Sequence, residues 1–320
     1  MSKVTLLDLA KRTGNDASVG IVESMSQSNA LLSLLPFRGI TGTQMKYGRR
    51  VGLPTVGFTG YNEGIAPSKS TIEQVSFETK ILKGSSTVDK LLAEADPRGV
   101  NAVRAEEDAG FAAAFANAFN ENCYYGDSAT VAREFDGLVK ILPSLVAGGN
   151  VLGAGGSSTN SSIYAFSFAD ANTAQGRRKG VEGIIANGGS QVINMQDMGL
   201  QKVTDAGGSN QYWAYETSFE WLPGFVVYDT QSVGRIANIN GSYKPTIALL
   251  NQLVTNMHPF RPDVFLCNKT VFSYIQELKG TTWVTGFGGS SSDLFTRVLT
   301  FDGIPIMIDE NITSTETTVS

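Results

Sequence analysis

Two segments in the first third of the chain alternate side chains in the manner of β-strands. In residues 43–53, one side of the alternation carries Met45, Tyr47, Arg49, Val51 and Leu53. In residues 74–82, one side carries Val75, Phe77, Thr79 and Ile81. The connection between them is rich in glycine and proline and is too long for a tight hairpin. We therefore predict a long two-stranded ribbon, which must rest on something outside itself because an isolated strand pair is only marginally stable.

A long helix is predicted for residues 101–122. One face of it carries aromatic residues at every fourth position, Phe111, Phe115 and Phe119. The alanine-rich stretch 112–118 consists of strong helix formers, and a turn signal at 124–128 ends the pattern. The acidic residues Glu106, Glu107 and Asp108 are expected to be solvated in its first turn. We predict a rod of roughly 30 Å whose phenylalanine stripe faces inward.

The residues before the ribbon are predicted to form an arm. Apolar residues recur with helical spacing over 21–35, and Pro36 ends the pattern. No long partner segment for this arm is evident in the sequence. The first 12 residues lack the continuous apolar core of a signal peptide, and no stretch approaches the ~20 apolar residues of a membrane span. We therefore expect a soluble protein.

Strands and helices alternate in the second half of the chain. The predicted strands are 162–168, 212–228 with a break at Pro223–Gly224, 264–267, and 301–308, where Pro305 suggests a sheet edge. The predicted helices are 245–257, with Pro245 in the first turn, and 269–279, closed by Gly280. These patterns indicate an α+β lobe.

The composition indicates a largely neutral surface. Only 17% of the 320 residues are charged, while 35 are glycine, and the formal net charge is -5. Small neutral side chains suit turns and surfaces that become interfaces. A negative net charge opposes tight nucleic-acid binding, which depends on neutralising phosphates with Lys and Arg. Any contact with DNA is therefore expected to be weak and independent of sequence.

The sequence offers little that could carry catalysis. His258, the only histidine, is interpreted as a helix-end or turn residue. Cys123 and Cys267 are far apart in sequence and, with one histidine, give no metal-ligand spacing and no disulfide framework, so a reducing cytoplasm is expected. We predict no catalytic, cofactor-binding or metal site.

Two further segments are candidates for ligand binding. Residues 151–156 superficially resemble a dinucleotide fingerprint, but Ser158 stands where the third glycine belongs, so a flexible surface loop is predicted. The basic run Arg177, Arg178 and Lys179 is interpreted as a solvated loop, with a DNA- or scaffold-facing patch as the alternative.

The order of these elements resembles the major capsid proteins of tailed bacteriophages. The segments that carry the resemblance are Tyr125-Gly126-Asp127-Ser128, Arg133-Glu134-Phe135-Asp136-Gly137-Leu138, Ala147-Gly148-Gly149, Arg235-Ile236-Ala237-Asn238-Ile239 and Phe301-Asp302-Gly303-Ile304-Pro305-Ile306. The resemblance covers essentially the full length. It implies the Hong Kong 97 type fold, with a peripheral domain containing the spine helix, an axial domain, an extended β-ribbon loop and an N-terminal arm.

The resemblance also implies domain limits and partners. The limits are 1–40 for the arm, 41–82 for the extended loop, 83–131 with 294–320 for the peripheral domain, and 132–293 for the axial domain. Such subunits form hexamers and pentamers of an icosahedral shell around packaged double-stranded DNA, are assembled in the host cytoplasm and become part of the virion. A separate scaffolding protein, a portal and a decoration protein are the expected partners. Some relatives cross-link a loop lysine to a neighbour; Lys46 and Lys69 are loop lysines, but no partner for either is identified.

Two other functions stay open at this point. An encapsulin-like bacterial compartment would use the same fold to hold cargo enzyme in place of a genome. A soluble enzyme with an unrecognised site belongs to another class. The three functions predict different particles. Shells containing DNA are expected for the phage capsid, empty small shells for the compartment, and small oligomers for the enzyme.

Overall fold

The fold is seen in a computed structural model, which describes residues 29–146, 148–169, 180–186, 193–204, 208, 210–278, 282–285 and 297–320. The helices are α1 (Ala30–Leu34), α2 (Lys90–Ala95), α3 (Val100–Tyr125), α4 (Leu138–Ile141), α5 (Ile247–Asn256) and α6 (Lys269–Gln276). No helix in these ranges is long and apolar enough to cross a membrane.

The strands of the described ranges form four sheets. Their bounds are β1 (Phe37–Gly39), β2 (Gln44–Gly52), β3 (Thr71–Glu78), β4 (Leu82–Asp89), β5 (Val151–Gly153), β6 (Ser161–Phe166), β7 (Val181–Ile185), β8 (Asn194–Thr204), β9 (Gln211–Trp221), β10 (Pro223–Val227), β11 (Val233–Ile239), β12 (Val264–Cys267), β13 (Thr282–Thr285), β14 (Arg297–Phe301) and β15 (Ile304–Ile308). The sheet orders are β13-β14-β15-β12-β6-β11-β5, β4-β9-β8, β1-β7-β10 and β2-β3. The mixed α+β class predicted from the sequence is confirmed.

The long helix α3 lies against the sheet β4-β9-β8 through its phenylalanine stripe. Phe111 stacks on Phe219 with ring centroids 5.3 Å apart. Phe115 and Phe119 are buried, and the Phe119 ring lies 4.9 Å from that of Trp221. The four-residue spacing places these rings on one face, and burying each contributes about 1.5–3 kcal/mol to folding. The predicted inward stripe is confirmed.

The acidic residues of α3 are not in a solvated first turn, so that prediction is wrong. The helix begins at Val100, six residues before Glu106, and its first turn contains no acidic residue. Glu106 accepts two hydrogen bonds from Arg98, at 2.9 and 3.1 Å. Asp108 is partly buried and accepts a hydrogen bond of 3.4 Å from the Thr217 hydroxyl. Burial raises the pKa of Asp108. This effect outweighs the hydrogen bonds and the charge of Arg104, which lower the pKa.

The helices of the second half cover the seven-stranded sheet, and their first turns are capped by side chains. Thr246 caps α5, since its hydroxyl accepts a hydrogen bond from Leu249 N at 3.2 Å. Pro245 therefore precedes the cap. The prediction that it lies in the first turn is wrong. Asn268 caps α6 through a 2.9 Å hydrogen bond from Val271 N. That helix ends at Gln276, and the predicted stop at Gly280 lies outside the described residues.

The C-terminal strand predicted for 301–308 is instead a hairpin. Strand β14 ends at Phe301 and β15 begins at Ile304, with Asp302 and Gly303 both at positive φ between them. Nor does Pro305 mark an edge, because β15 lies between β14 and β12. The pairing of β15 with β12 begins at Ile306, so the missing N–H of Pro305 falls just outside that ladder.

The described end of the predicted arm packs on its own chain. Strand β1 pairs in parallel with β7, and Leu31 is completely buried. The expectation that this segment lacks a partner is therefore wrong for residues 29–40, while residues 1–28 lie outside the described ranges. The domain limits stay a prediction. Two strand pairings join segments that these limits assign to different domains: β4 pairs with β9, and β15 pairs with β12.

Candidate functional site: an exposed ribbon

The base of the ribbon formed by β2 and β3 rests on the body of the chain. Met45 and Phe77 pack against the buried cluster of Ile40, Ile184 and Val226. The Tyr47 hydroxyl donates a hydrogen bond of 2.8 Å to the carbonyl oxygen of Tyr228. The strands pair in antiparallel register from Gln44 with Glu78 to Gly52 with Thr71. The predicted ribbon is confirmed, but its second strand is Thr71–Glu78 and not 74–82, so Thr79 and Ile81 lie beyond its end. The packing that the ribbon requires outside itself is present at its base.

The outer part of the ribbon carries exposed apolar side chains. Phe58 and Tyr61 are fully exposed at its tip. Together with them, the exposed apolar residues are Val51, Leu53, Val56, Ile65 and Ile72. The tip is held by few internal bonds, such as that from the Ser68 hydroxyl to Thr55 O at 2.9 Å. Exposed apolar side chains grouped on one element of a folded subunit are typical of a protein interface.

The two loop lysines lie on this ribbon. Lys46 is in β2 and Lys69 is in the tip, and both are exposed. Their positions allow contact with a neighbouring molecule.

A buried ion pair fixes the C-terminal segment to the neighbouring strands β6 and β11 of the seven-stranded sheet. Arg235 of β11 is 1% exposed, and its guanidinium donates a hydrogen bond of 2.9 Å to Glu316. The same guanidinium donates to the Ser162 hydroxyl and to the carbonyl oxygen of Leu142, both at 3.1 Å. The Tyr125 hydroxyl at the end of α3 donates to the other oxygen of Glu316 at 2.7 Å. Burial, reinforced by the Glu316 charge, raises the pKa of Tyr125 and keeps it a donor.

A second buried carboxylate, Asp309, joins the two ends of the described chain. It accepts hydrogen bonds from the Asn120 amide, the Tyr124 hydroxyl and the backbone N–H of Leu31, at 2.8–3.1 Å. Burial is the main cause of the raised pKa of Tyr124, and the charge of Asp309 adds to it. Asp309 therefore connects the start of α1, the C-terminal end of α3 and the segment after β15.

Removing the Glu316 carboxylate by Glu316→Ala should destabilise the unassembled subunit by about 3–5 kcal/mol, because the Arg235 charge is left buried without its partner. Urea unfolding measures this difference. The matched control is Glu277→Ala, which breaks the exposed Lys244–Glu277 pair and should cost only about 0–1 kcal/mol. If the two variants lose the same free energy of unfolding, the buried pair does not have the proposed structural role.

The residues considered for catalysis do not converge. His258 is exposed just after α5. Cys123 and Cys267 are buried in α3 and at the end of β12, and burial raises the pKa of both thiols. Among the described residues, no group of three or more His, Cys, Asp and Glu side chains is placed to hold a metal ion.

The glycine-rich segment after β5 is ordered, so the predicted flexible loop is wrong. Gly156 is buried, its N–H donates to Asn238 O at 2.9 Å, and an added Cβ would lie 2.6 Å from that same oxygen. The segment leads to strand β6, whereas a dinucleotide fingerprint leads into a helix. Arg177, Arg178 and Lys179 lie outside the described residues.

Comparison with known proteins gives one family and a set of structural neighbours. The family model of the major capsid protein GP7 matches residues 13–320. No curated protein matches the chain.

Solved capsid structures show the fold. A structure of bacteriophage epsilon15 matches with a TM-score of 0.72 and 22% sequence identity, covering 100% of this chain and 98% of that one. The bacteriophage JBD30 capsid matches with a TM-score of 0.53 and 10% identity, covering 90% of this chain and 93% of that one. An encapsulin complex from Synechococcus elongatus has a TM-score of 0.49 and 9% identity, with coverages of 74% and 97%. The first two matches confirm the predicted Hong Kong 97 type fold.

Proposed function

Because this chain belongs to the family of the major capsid protein GP7 and is a structural protein of a bacteriophage capsid shell, we propose that its copies form the hexamers and pentamers of an icosahedral shell around double-stranded DNA. The family points to a structural role and not to an enzyme. The protein is part of a virion, and its shell is built from copies of itself.

The exposed apolar tip of the ribbon supports this proposal most directly. Its base is packed, but Phe58 and Tyr61 have their whole side chains open to solvent in the subunit. Covering such side chains contributes about 25 cal/mol for each Å² of apolar surface removed from water. In a shell, a neighbouring copy of the chain covers these apolar side chains. The ribbon then holds the two subunits together.

Further partners are proposed from the resemblance of the whole chain to capsid proteins. A separate scaffolding protein guides assembly in the host cytoplasm, a portal admits the DNA, and a decoration protein binds the outside of the shell. The axial domain, proposed to span 132–293, meets its equivalents at the capsomer centres. Purified immature and mature particles analysed by mass spectrometry test these partners, and particles that contain this chain alone at both stages would contradict them.

DNA contact is proposed to be diffuse. The net charge is -5, and the densest basic run is Arg177, Arg178 and Lys179. Replacing all three with alanine should reduce DNA packaging about twofold at most, because non-specific binding is spread over many weak phosphate contacts. Packaged DNA per particle is the measurement, with wild-type particles as the reference. A subunit that selects one DNA sequence at physiological salt would overturn the proposal.

A further inference from the structure

The hydrogen bonds and ring contacts between the ribbon and the rest of the described chain all lie near the base of the ribbon. The outermost of them is made by Tyr47 of β2. For residues 48–74, every hydrogen bond and ion pair within the described ranges stays inside the ribbon, as in the pair of Arg49 with Glu73 at 3.2 Å. The contact at Tyr47 is therefore well placed to control the direction of everything beyond it.

Tyr228, which follows β10, receives the ribbon through several of its atoms. Its carbonyl oxygen accepts the 2.8 Å hydrogen bond from the Tyr47 hydroxyl, and the centroids of the two rings lie 5.1 Å apart. Its hydroxyl lies 3.7 Å from Met45 Sδ. Phe77 of β3 stacks on Tyr47 with ring centroids 6.1 Å apart, so both strands of the ribbon take part in this contact.

Tyr228 is itself held by a buried carboxylate. Its hydroxyl donates a hydrogen bond to Glu182 of β7, which is 1% exposed. Arg38 of β1 lies 3.9 Å from the same carboxylate oxygen. Burial raises the pKa of Tyr228 to about 12, and the hydrogen bond to Glu182 adds to this effect, so the hydroxyl stays a donor. Because a buried carboxylate that loses a donor is costly, Glu182 keeps the Tyr228 side chain in place.

The length of the ribbon turns a small rotation at its base into a large displacement of its tip. At ~3.3 Å for each residue of a strand, Gly52 lies roughly 17 Å beyond Tyr47 along β2. A rotation of about 20° at Tyr47 would move the start of the tip by about 6 Å, which exceeds the ~4 Å range of an apolar contact. The direction of the ribbon therefore decides which surface the exposed side chains of the tip can reach.

We propose that Tyr47 and Tyr228 set the angle at which the ribbon leaves the body of the subunit, and that Glu182 is a positioning residue that holds Tyr228 for this contact. The consequence for assembly rests on the proposed shell function, in which the tip must reach a neighbouring copy. A fixed ribbon angle restricts the curvature at which neighbouring subunits can join. It thereby limits the range of shell diameters.

Distance measurements on the full-length, unassembled subunit test the angle itself. Spin labels are attached at Arg50→Cys on the outer ribbon and at Glu121→Cys on α3, both at exposed positions. The native Cys123 and Cys267 are buried and do not compete for the label. Tyr47→Phe removes one hydroxyl and keeps the ring, and should raise the population of displaced ribbons roughly fivefold, the equivalent of one lost hydrogen bond. Pulsed electron paramagnetic resonance detects this as a broader distribution of distances between the labels.

The matched control is Tyr243→Phe. It also removes a hydroxyl from a half-exposed tyrosine, but this residue lies in the turn before α5 and makes no contact with the described residues of the ribbon. Tyr228→Phe removes the bond to Glu182 and keeps the carbonyl oxygen that Tyr47 uses, so it should broaden the distribution as Tyr47→Phe does. Circular dichroism establishes that all three variants are folded. A distribution unchanged by Tyr47→Phe would overturn the proposal, and one unchanged by Tyr228→Phe would overturn the role of Glu182.

Shell diameters test the consequence for assembly. Electron microscopy of assembly reactions should show a wider spread of diameters for Tyr47→Phe than for Tyr243→Phe. An equal spread in the two variants would overturn the control of curvature and leave the shell function standing. If the wild-type chain forms no shells, the shell function fails, and the distance distributions of the subunit alone decide whether Tyr47 sets the ribbon angle.

Discussion

Replacing Phe115 with aspartate is expected to abolish the soluble folded subunit. Phe115 is 5% exposed on α3 and packs against Phe219 with ring centroids 6.2 Å apart. Loss of a buried phenylalanine alone costs about 3–5 kcal/mol, and an unpaired charge at the same place costs more. The sum is comparable to the whole stability of a typical domain, about 5–15 kcal/mol. Soluble yield and circular dichroism measure the outcome.

The control for this variant is Ala114→Asp, one residue earlier on the exposed side of the same helix. It adds the same charge and should cost only about 0.7 kcal/mol through helix propensity. If the Phe115→Asp subunit folds and assembles as well as the Ala114→Asp subunit, the orientation of α3 is wrong.

Removing the tip of the ribbon is expected to abolish stable shells while leaving the subunit folded. Residues 53–70 are replaced by Asn-Gly, so that a two-residue turn joins the paired residues Gly52 and Thr71. The tip makes few bonds to the rest of the subunit, so its loss should change the free energy of unfolding by only about 1 kcal/mol. Its exposed apolar side chains are lost from every contact between copies. Thermal unfolding and sedimentation of assembly reactions measure the two effects.

A point variant separates the surface of the tip from its length. Phe58→Asp keeps the ribbon intact and changes one fully exposed side chain. It should weaken assembly in the same direction and leave unfolding unchanged. Shells of normal yield and stability from the shortened chain would mean that the ribbon does not hold subunits together.

The ribbon and the long helix could be predicted because each displays a simple period over many residues. The alternation around Tyr47 and the four-residue spacing of Phe111, Phe115 and Phe119 arise from local geometry alone. The pairing of strands into sheets could not be predicted in this way. Strand β4 follows β3 closely in sequence, yet pairs with β9 more than a hundred residues later. No local pattern encodes such a pairing.

One missed feature did have a local signal. Asp302 and Gly303 stand between apolar residues and form the two-residue turn of the β14–β15 hairpin, both with positive φ. An Asp-Gly pair between apolar segments is a strong hairpin signal. The interpretation of 301–308 as one strand gave more weight to the apolar residues than to that pair.

The buried polar connections could not be predicted from the sequence. Glu316 and Asp309 look like ordinary surface carboxylates in a polar C-terminal segment. Their partners Arg235, Ser162 and Asn120 lie 81, 154 and 189 residues away. Only the three-dimensional arrangement brings them together. The need of the ribbon for packing from outside could be predicted, because an isolated strand pair is only marginally stable.

Electron microscopy of particles formed by the wild-type chain tests the proposed shell function. We expect closed icosahedral shells built of hexamers and pentamers, with the ribbon tip of each subunit, including Phe58 and Tyr61, lying against a neighbouring copy. Discrete small oligomers, or shells in which these tips stay exposed to solvent, would contradict it.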